Sequence, residues 1–548
     1  MLSVYLGKSL RDTGVRVQAK PVPRMRAQQF EPPRRRLWEA GLIAGFLLLC
    51  GFDIVHHAMW RDEMQPWLFA RDSASIPELL RNLHYERHPR LWYIILFGLS
   101  RLTNNPAAMQ AANFLMIGLA IGLFVRNCPI PFYLKAFTSF GYLFVYEWGT
   151  LSRNYALGVL LCFAFCVRFP KRTKGYLELA IILFLATQSN PCAAILAASL
   201  GGLLVFEACF DPSIRNRIKA RKMDTVLSAS LVIGGCFLTL WTLIPQPDAD
   251  PAARYLPPPD ALSDAFRSAF VAIWDGFVPI SLAPALVGDS LLGNVGVRFV
   301  LGMILLPVTV AFFRRSRLIL WTYLCGGSLL LLFAFDKAGN SLRHAGHFFL
   351  WFIICLWLAY YFPDSKSPPV SRGFVLSHAQ RWFLCAFLLI DVFGSGYFSV
   401  LGYTHDYSCG KAVAAYIEQH YRKGLPILVY PDEKGVPVAG YLRERMYYPD
   451  THRWGSFVIE DNKRQTHWSD DQKMKGINDF AAQGYHDFLV LQDWPLTMEN
   501  QRFEVTNFGS LHEEASFHPA MEGDEIYWLY RYRTGNPPAI TVKPFSPP

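Results

Sequence analysis

The sequence has no cysteine pattern that would hold a metal ion or a disulfide framework. Its 11 cysteines are scattered, most of them inside apolar stretches, and no CxxC pair occurs. Isolated thiols in such surroundings are typical of free cysteines that pack as small apolar residues. Neither a structural zinc site nor a disulfide-stapled scaffold is therefore indicated.

Other signals are absent as well. The sequence contains no P-loop for ATP and no internal repeat of fixed period. It also lacks the pattern of a cleavable signal peptide, because the polar, arginine-rich residues 1–37 precede the first apolar run. We expect that run to act as an uncleaved membrane anchor.

Long apolar stretches make up much of the sequence. Hydrophobic residues make up 52% of the 548 positions and aromatic residues 15%, which is too apolar for one soluble domain. A membrane span needs roughly 20 mostly apolar residues. The sequence predicts an α-helical polytopic membrane protein with about eleven spans, at residues 38–56, 107–125, 132–147, 155–169, 176–190, 193–209, 226–244, 296–313, 318–335, 346–362 and 382–401. A shorter apolar piece, residues 91–102, predicts a juxtamembrane or re-entrant helix.

Positive charge sets the expected orientation. A net charge of +10 would suggest a nucleic-acid partner in a soluble protein. Here the strongly basic segments, among them RFPKRTK, RNRIKARK and RRSR, all fall on the side of the N-terminus. By the positive-inside rule that side is cytoplasmic, so the charge is explained without nucleic acid. Compact loops and a small C-terminal domain favour a bacterial inner membrane.

The opposite, exoplasmic side is expected to receive the first loop, residues 57–106, the long loop 245–295, and a C-terminal domain, residues 402–534. That domain is predicted to be α/β, and periplasmic in a bacterium. Its apolar β-type runs (425–430, 488–492 and 525–532) alternate with helical patterns at 409–421 and 469–483. The proline-rich residues 535–548 predict an unstructured tail.

The first exoplasmic loop concentrates charge beside the bilayer. Asp62 and Glu63 follow the first span in WRDEMQPW, and YERHPRLWY places further charge at Glu86, Arg87 and His88. A carboxylate near lipid, walled by tryptophans, can have a raised pKa and act as a general base. Arginines there could neutralise a phosphate. Anchoring at the membrane interface accounts for any one of these residues but poorly for the whole cluster.

The combination of WRDE, YERHPRLWY and a short apolar helix resembles the first exoplasmic loop of the GT-C glycosyltransferases. The branch it resembles holds the lipid A aminoarabinose and galacturonic acid transferases and the protein O-mannosyltransferases. LSRNYALGVLL (151–161) and the layout of spans followed by an α/β domain are also similar. The resemblance implies an inverting glycosyltransferase that moves a sugar from a polyprenyl-phosphate donor to a lipid, glycan or protein acceptor.

The resemblance also implies roles for individual residues. Asp62 matches the family's catalytic aspartate, which deprotonates or orients the acceptor, and Glu63 would support it. Glu86 matches a second acidic position that holds a metal or orients the donor phosphate. The sequence reads ERHP where the family has EKP, so either Arg87 or His88 would take the phosphate-binding position.

Other cations of the exoplasmic loops are candidates for binding the donor phosphate, because the leaving group is an anion. They are Arg153 in SRNY, Arg343 and His344 in NSLRHAGH, and Arg254 in DPAARYLPPP. Each has a plainer interpretation. Arg153 and Arg343 could anchor span ends. The 245–295 loop, which carries Arg254, could be a mobile lid over the site or a proline-rich linker.

The sequence leaves both the cofactor and the class of protein open. The histidines of the first loop, with Glu86, could bind a divalent metal ion, but their spacing forms no fixed ligand pattern. The main alternative class is a multispan transporter or flippase of a lipid-linked or small anionic substrate. Transporters usually carry ionisable residues inside their spans and often show repeats, whereas these spans are nearly free of acidic residues at their centres. A receptor or scaffold would leave the first loop unexplained.

Overall fold

The computed structural model describes residues 34–250, 259–279, 293–336, 341–362, 375–496 and 509–534. A helical region comes first and a small α/β domain follows it. The predicted tail 535–548, most of the predicted tail 1–37, and Arg254 lie outside the described residues. The helices of the first region are α1 Arg35–His56, α2 Arg61–Asp72, α3 Ile76–Asn82, α4 Leu91–Ser100, α5 Ala107–Asn127, α6 Phe132–Ser139, α7 Tyr155–Arg168, α8 Leu177–Thr187, α9 Pro191–Phe210, α10 Pro212–Ala220, α11 Lys222–Leu243, α12 Leu262–Phe277, α13 Val295–Phe312, α14 Arg317–Asp336, α15 Leu342–Ala359 and α16 His378–Thr404.

Eight of the described helices are long and apolar enough to cross a membrane: α1, α5, α9, α11, α13, α14, α15 and α16. Each coincides with a predicted span. The predicted spans 155–169 and 176–190 correspond to the shorter helices α7 and α8. The predicted span 132–147 corresponds to α6 and then a π-helical segment, Leu143–Thr150. Eleven crossings therefore stay a prediction, while the multispan helical fold is confirmed.

Helix α15 lies at the centre of the bundle. Every residue from Ala345 to Ala359 is buried, and the helix packs against α7, α12 and α14. A helix that is apolar on all sides is stable only when other helices or lipid surround it. By contrast, α11 exposes Leu240, Trp241 and other apolar side chains, as expected of a helix that faces lipid. The bundle therefore holds the start of α15 in a fixed place.

Part of the long loop 245–295 folds differently from either expectation. Residues Leu262–Phe277 form the amphipathic helix α12, which packs on α13 and α15. The carboxylate of Asp275 is fully buried and accepts hydrogen bonds from Nη1 of Arg298 in α13 at 2.9 and 3.1 Å. The prediction of a lid or linker is wrong for this stretch, because its apolar face is buried against two helices.

The C-terminal domain is built on one six-stranded mixed sheet. Its strands are β1 Ile427–Tyr430, β2 Met446–Tyr448, β3 Arg453–Gly455, β4 Asp487–Gln492, β5 Ser510–Phe517 and β6 Tyr527–Arg533, in the order β3-β2-β1-β4-β6-β5. Strand β1 pairs in parallel with β2 and β4, and β6 pairs antiparallel with β4 and β5. Its helices are α17 Gly410–His420, α18 Gly435–Leu442 and α19 Asp470–Ala482.

The α/β prediction is confirmed, and the three predicted strands correspond to β1, β4 and β6. The predicted helices correspond to α17 and α19. Strands β2, β3 and β5 and helix α18 were not predicted. Strand β5 lies at the sheet edge with exposed polar residues in LHEEAS, so it lacks the apolar alternation that marks a half-buried strand.

Candidate functional site

The site begins where α1 gives way to α2. Helix α1 ends at His56 and α2 begins at Arg61, so Asp62 and Glu63 occupy the first turn of α2. Acidic side chains are favoured there, because the first N–H groups of a helix have no partner within it. Successive residues of a helix point about 100° apart, so the two carboxylates face different surroundings.

Glu63 points into the protein and is fully buried. One carboxylate oxygen, Oε2, lies 2.6 Å from Nε2 of His57. The other, Oε1, accepts a hydrogen bond of 2.6 Å from the backbone N–H of Ser152. Glu63 thereby joins the end of α1 to the segment that carries Arg153.

Asp62 points toward two arginines from distant parts of the chain. Its Oδ2 accepts hydrogen bonds from Nη1 of Arg153 and, at 3.0 Å, from Nη1 of Arg343 at the start of α15. Asp62 keeps 34% of its side chain exposed, whereas the Arg153 and Arg343 side chains are 10% and 20% exposed. The guanidinium of Arg343 also lies over the ring of Trp60, 5.0 Å from its centroid, a favourable cation–π arrangement.

These ion pairs lower the pKa of Asp62, where the sequence predicted a raised pKa. Burial raises the pKa of this carboxyl, but the opposing effects of Arg153, Arg343 and Arg61 are larger, so the pKa lies well below its ordinary value. The expectation of a raised pKa is therefore wrong for Asp62. Arg153 and Arg343 thus both reach a partly exposed carboxylate, and guanidinium groups so placed can also pair with an anionic ligand.

Glu86 lies beside this centre but makes no ion pair with Arg153 or Arg343. It accepts hydrogen bonds from the hydroxyl of Tyr93 at 2.9 Å and from Nε2 of Gln65 at 3.4 Å. Arg87 and His88 follow it and are half-buried. The structure thus brings Asp62, Arg153 and Arg343 into direct contact and connects Glu86 to α2 through Gln65.

His344 contacts the start of α7. Its Nε2 lies 3.0 Å from the hydroxyl of Tyr155, at hydrogen-bonding distance. The backbone carbonyl of Arg343, one residue earlier, is 2.8 Å from Nδ1 of His347. Within the described residues, no group of three or more His, Cys, Asp or Glu side chains is placed to hold a metal ion.

The α/β domain covers the first loop through several polar contacts. The side-chain amide of Gln65 makes two hydrogen bonds with the backbone of Val458, of 2.9 and 3.0 Å. Arg61 pairs with Glu433 at 2.7 Å and with Asp524 at 2.8 Å. The N–H of Met59 donates to the hydroxyl of Tyr441 at 2.7 Å. The ends of α1 and α2 are therefore held against this domain.

The domain also contributes an acidic residue that sequence reasoning missed. Burial raises the pKa of Glu460; the nearby Glu86 and Asp62 also raise it, while Arg464 and Arg87 lower it, and the net change is upward. Glu460 is half-buried two residues after Val458, which contacts Gln65. Nothing in the pattern around VIEDN marks this glutamate, because it comes near Glu86 and Asp62 only in the folded chain.

Fold and site together define a polytopic helical membrane protein in which two arginines hold a carboxylate beneath an α/β domain. No family model matches the chain, and no curated protein matches its sequence. Among solved structures, the chain is similar to ArnT from Cupriavidus metallidurans bound to undecaprenyl phosphate, with 11% identity, 90% of this chain and 98% of that chain covered, and a TM-score of 0.49. The same protein in the apo state gives a TM-score of 0.46. The arabinofuranosyltransferase AftD from Mycobacteria gives 13% identity over 92% of this chain and 42% of that one, with a TM-score of 0.36.

Proposed function

We propose that this protein is an inverting membrane glycosyltransferase that moves a sugar from a polyprenyl-phosphate donor to a lipid, glycan or protein acceptor. The observation that supports the proposal is the carboxylate of Asp62 held between Arg153 and Arg343. A base beside two phosphate-binding cations is what transfer from a sugar phosphodiester requires. Its position at the end of the first span gives a lipid-linked donor access from the bilayer.

In the proposed reaction the acceptor oxygen forms a bond to the anomeric carbon from the face opposite the phosphate. The bond between that carbon and the phosphate oxygen breaks, and the phosphate leaves with the bonding electrons. The acceptor proton passes to Asp62, and Arg153 and Arg343 stabilise the charge on the departing phosphate. Glu86, with Arg87 or His88, would orient the donor from the side.

Because the pKa of Asp62 is lowered by its arginine partners, the basicity of this carboxylate depends on whether the donor is bound. A carboxylate paired with two arginines is a weak base. When a donor phosphate binds the same guanidinium groups, its negative charge weakens their effect on Asp62 and the pKa of the carboxyl rises. Donor binding therefore raises the basicity of Asp62 at the step where the acceptor proton has to be removed.

Mass spectrometry of lipids and glycans from cells is the test that also identifies the substrate. Cells that lack the protein, cells that carry it, and cells with Asp62→Asn at equal protein level are compared. We expect one glycosylated species to disappear in the first and third cases. Asp72→Asn is the matched control, because Asp72 lies at the other end of α2 and bonds Arg71 and Ser456. Unchanged product with Asp62→Asn would refute the proposed base and leave the transporter alternative.

A further inference from the structure

A second polar cluster lies between α1 and α16, behind the proposed catalytic centre. A small cavity there is lined by residues of α1, α16 and the π-helical segment, including Phe52, Asp53, Tyr146, Ser399, Gly402 and Tyr403. The cavity has room for about one water-sized group. An ionisable residue inside a membrane helix is costly and usually indicates function, so Asp53 needs an explanation.

One oxygen of Asp53 is satisfied and the other is not. The side chain is 5% exposed, and Oδ2 accepts a hydrogen bond of 2.8 Å from the hydroxyl of Ser399. Oδ1 accepts no hydrogen bond from the described part of the chain. A buried carboxylate oxygen without a donor is strongly unfavourable. Its place in the cavity lining therefore points to a donor that comes from outside the chain.

The neighbouring histidines already use one ring nitrogen each. Nδ1 of His56 lies 2.8 Å from the backbone carbonyl of Phe52. Nε2 of His57 lies 2.6 Å from Glu63. The imidazole rings of both histidines line the cavity.

Aromatic rings surround the cavity mouth. The ring centroids of Phe52 and His56 are 4.3 Å apart, and those of Phe52 and Tyr403 are 5.6 Å apart. His56 and Tyr403 are separated by 5.2 Å, edge to face. Ring faces beside a carboxylate attract a cation that carries N–H donors, through cation–π contacts and charge-assisted hydrogen bonds.

The mouth opens toward the lipid side of the bundle. Phe52 of α1 and Tyr403 of α16 are 45% and 61% exposed. Leu48, Val55 and Val400 continue an exposed apolar strip along the same two helices. A ligand whose cationic head enters the cavity can therefore lay a hydrocarbon chain along this strip.

We propose that this cavity binds the primary ammonium group of an aliphatic amphiphile, with Asp53 Oδ1 as its acceptor. The small space favours a primary ammonium over a quaternary one, whose methyl groups need more room. The head of phosphatidylethanolamine and a simple alkylamine share this chemistry. The site makes no use of sugar transfer, so its success or failure is separate from that of the proposed function.

Thermal unfolding of the purified full-length protein in a non-ionic detergent tests the proposal. Dodecylamine should raise the unfolding temperature, and dodecyltrimethylammonium and dodecanol should raise it much less. Asp53→Asn should increase the half-saturating dodecylamine concentration about tenfold or more. Glu39→Gln, which neutralises another carboxylate of α1, is the matched control and should leave dodecylamine binding unchanged.

A second variant keeps the test decisive if Asp53→Asn does not fold. Tyr403→Leu removes an exposed ring at the mouth and should weaken dodecylamine binding severalfold. Nanodiscs of phosphatidylethanolamine should stabilise the wild-type protein more than nanodiscs of phosphatidylglycerol if a lipid head is the source. Stabilisation by dodecylamine alone would assign the site to a free amine. Equal effects of dodecylamine and dodecanol, or none, would overturn the proposal and leave only water in the cavity.

Discussion

Two adjacent carboxylates take different roles because a helix turns them in different directions. Asp62 contacts Arg153 and Arg343, while Glu63 contacts His57 and the backbone of Ser152. The first is partly exposed and can meet a ligand. The second is buried and holds together the segments that carry the arginine and the aspartate. We infer that Asp62 acts on substrate and that Glu63 positions Arg153.

Replacing Glu63 with Gln should destabilise the protein and weaken binding of a donor phosphate. Glutamine has the same shape but no charge, so its oxygen can still accept from the N–H of Ser152 while the charge-assisted contact with His57 is lost. Losing a hydrogen bond to a charged group costs about 1.5–3 kcal/mol. Thermal unfolding would report the loss, and titration with undecaprenyl phosphate would report the binding. As a control, Glu418→Gln at an exposed position should change neither the unfolding temperature nor the binding of undecaprenyl phosphate. If Glu63→Gln equals wild type in both measurements, the positioning role of Glu63 is refuted.

The ion pairs of Asp62 should persist into acid. A carboxyl whose pKa is lower in the folded than in the unfolded state stabilises the fold fully above its unfolded pKa, about 3.9. That stabilisation is lost as pH falls through the folded value. The difference in unfolding temperature between wild type and Asp62→Asn should thus stay constant from about pH 7 to pH 5. A difference that shrinks in that interval would mean that the pKa of Asp62 is raised.

Among the helices and strands, α2 is the helix that connects the membrane helices to the α/β domain. Arg61, Gln65 and the buried Trp67 all lie on it. Arg61 and Gln65 form the polar contacts, and Trp67 packs in a cluster with Val436 and Val458 of the domain. This helix therefore sets how closely the domain covers Asp62.

A double-mutant cycle measures this connection. Arg61 and Glu433 form a pair whose side chains are 26% and 27% exposed, so we expect a coupling of about 1 kcal/mol from Arg61→Gln and Glu433→Gln. The more exposed pair of Arg267 and Asp264 on α12 is the control, with an expected coupling below about 0.5 kcal/mol. Equal couplings in the two cycles would show that α2 is not held by this pair.

Helix α12 should depend on its buried ion pair. Asp275→Asn leaves the charge of Arg298 without its counter-ion, which costs about 3–5 kcal/mol when both groups are buried. We expect a clear drop in unfolding temperature. Asp264→Asn, on the exposed side of α12, should change stability by less than about 0.5 kcal/mol. Similar effects of the two substitutions would contradict the docked position of α12.

At the scale of the whole molecule, the sequence predicted what composition controls. Long apolar runs predicted the eight long helices, and apolar β-type runs predicted the sheet centre, since β1 and β4 are buried along most of their length. Edge strand β5 and helix α12 were missed, because their faces are only partly apolar. The pKa of Asp62 was mispredicted, because Arg153 and Arg343 approach it only in the folded chain. Glu460 was missed for the same reason.

Locating the two ends of the chain shows whether the number of crossings is odd or even. Eleven spans, an odd number, put the N-terminus and the α/β domain on opposite sides of the membrane. Alkaline phosphatase and green fluorescent protein fused in turn to each end should therefore report opposite sides, with the C-terminal end outside the cytoplasm. The same side for both ends would require an even number and would remove at least one of the shorter helices from the count.

An assay in isolated membranes shows directly whether Asp62 is the base of a sugar transfer. Membranes with wild type, Asp62→Asn or Asp72→Asn at equal protein level are given radiolabelled polyprenyl-phosphate sugars, and transfer to acceptor is counted. Loss of general-base catalysis costs about 10²- to 10⁴-fold. We expect a loss of at least about 100-fold with Asp62→Asn and near-normal transfer with Asp72→Asn. Full transfer by Asp62→Asn would refute the role of Asp62 as the base.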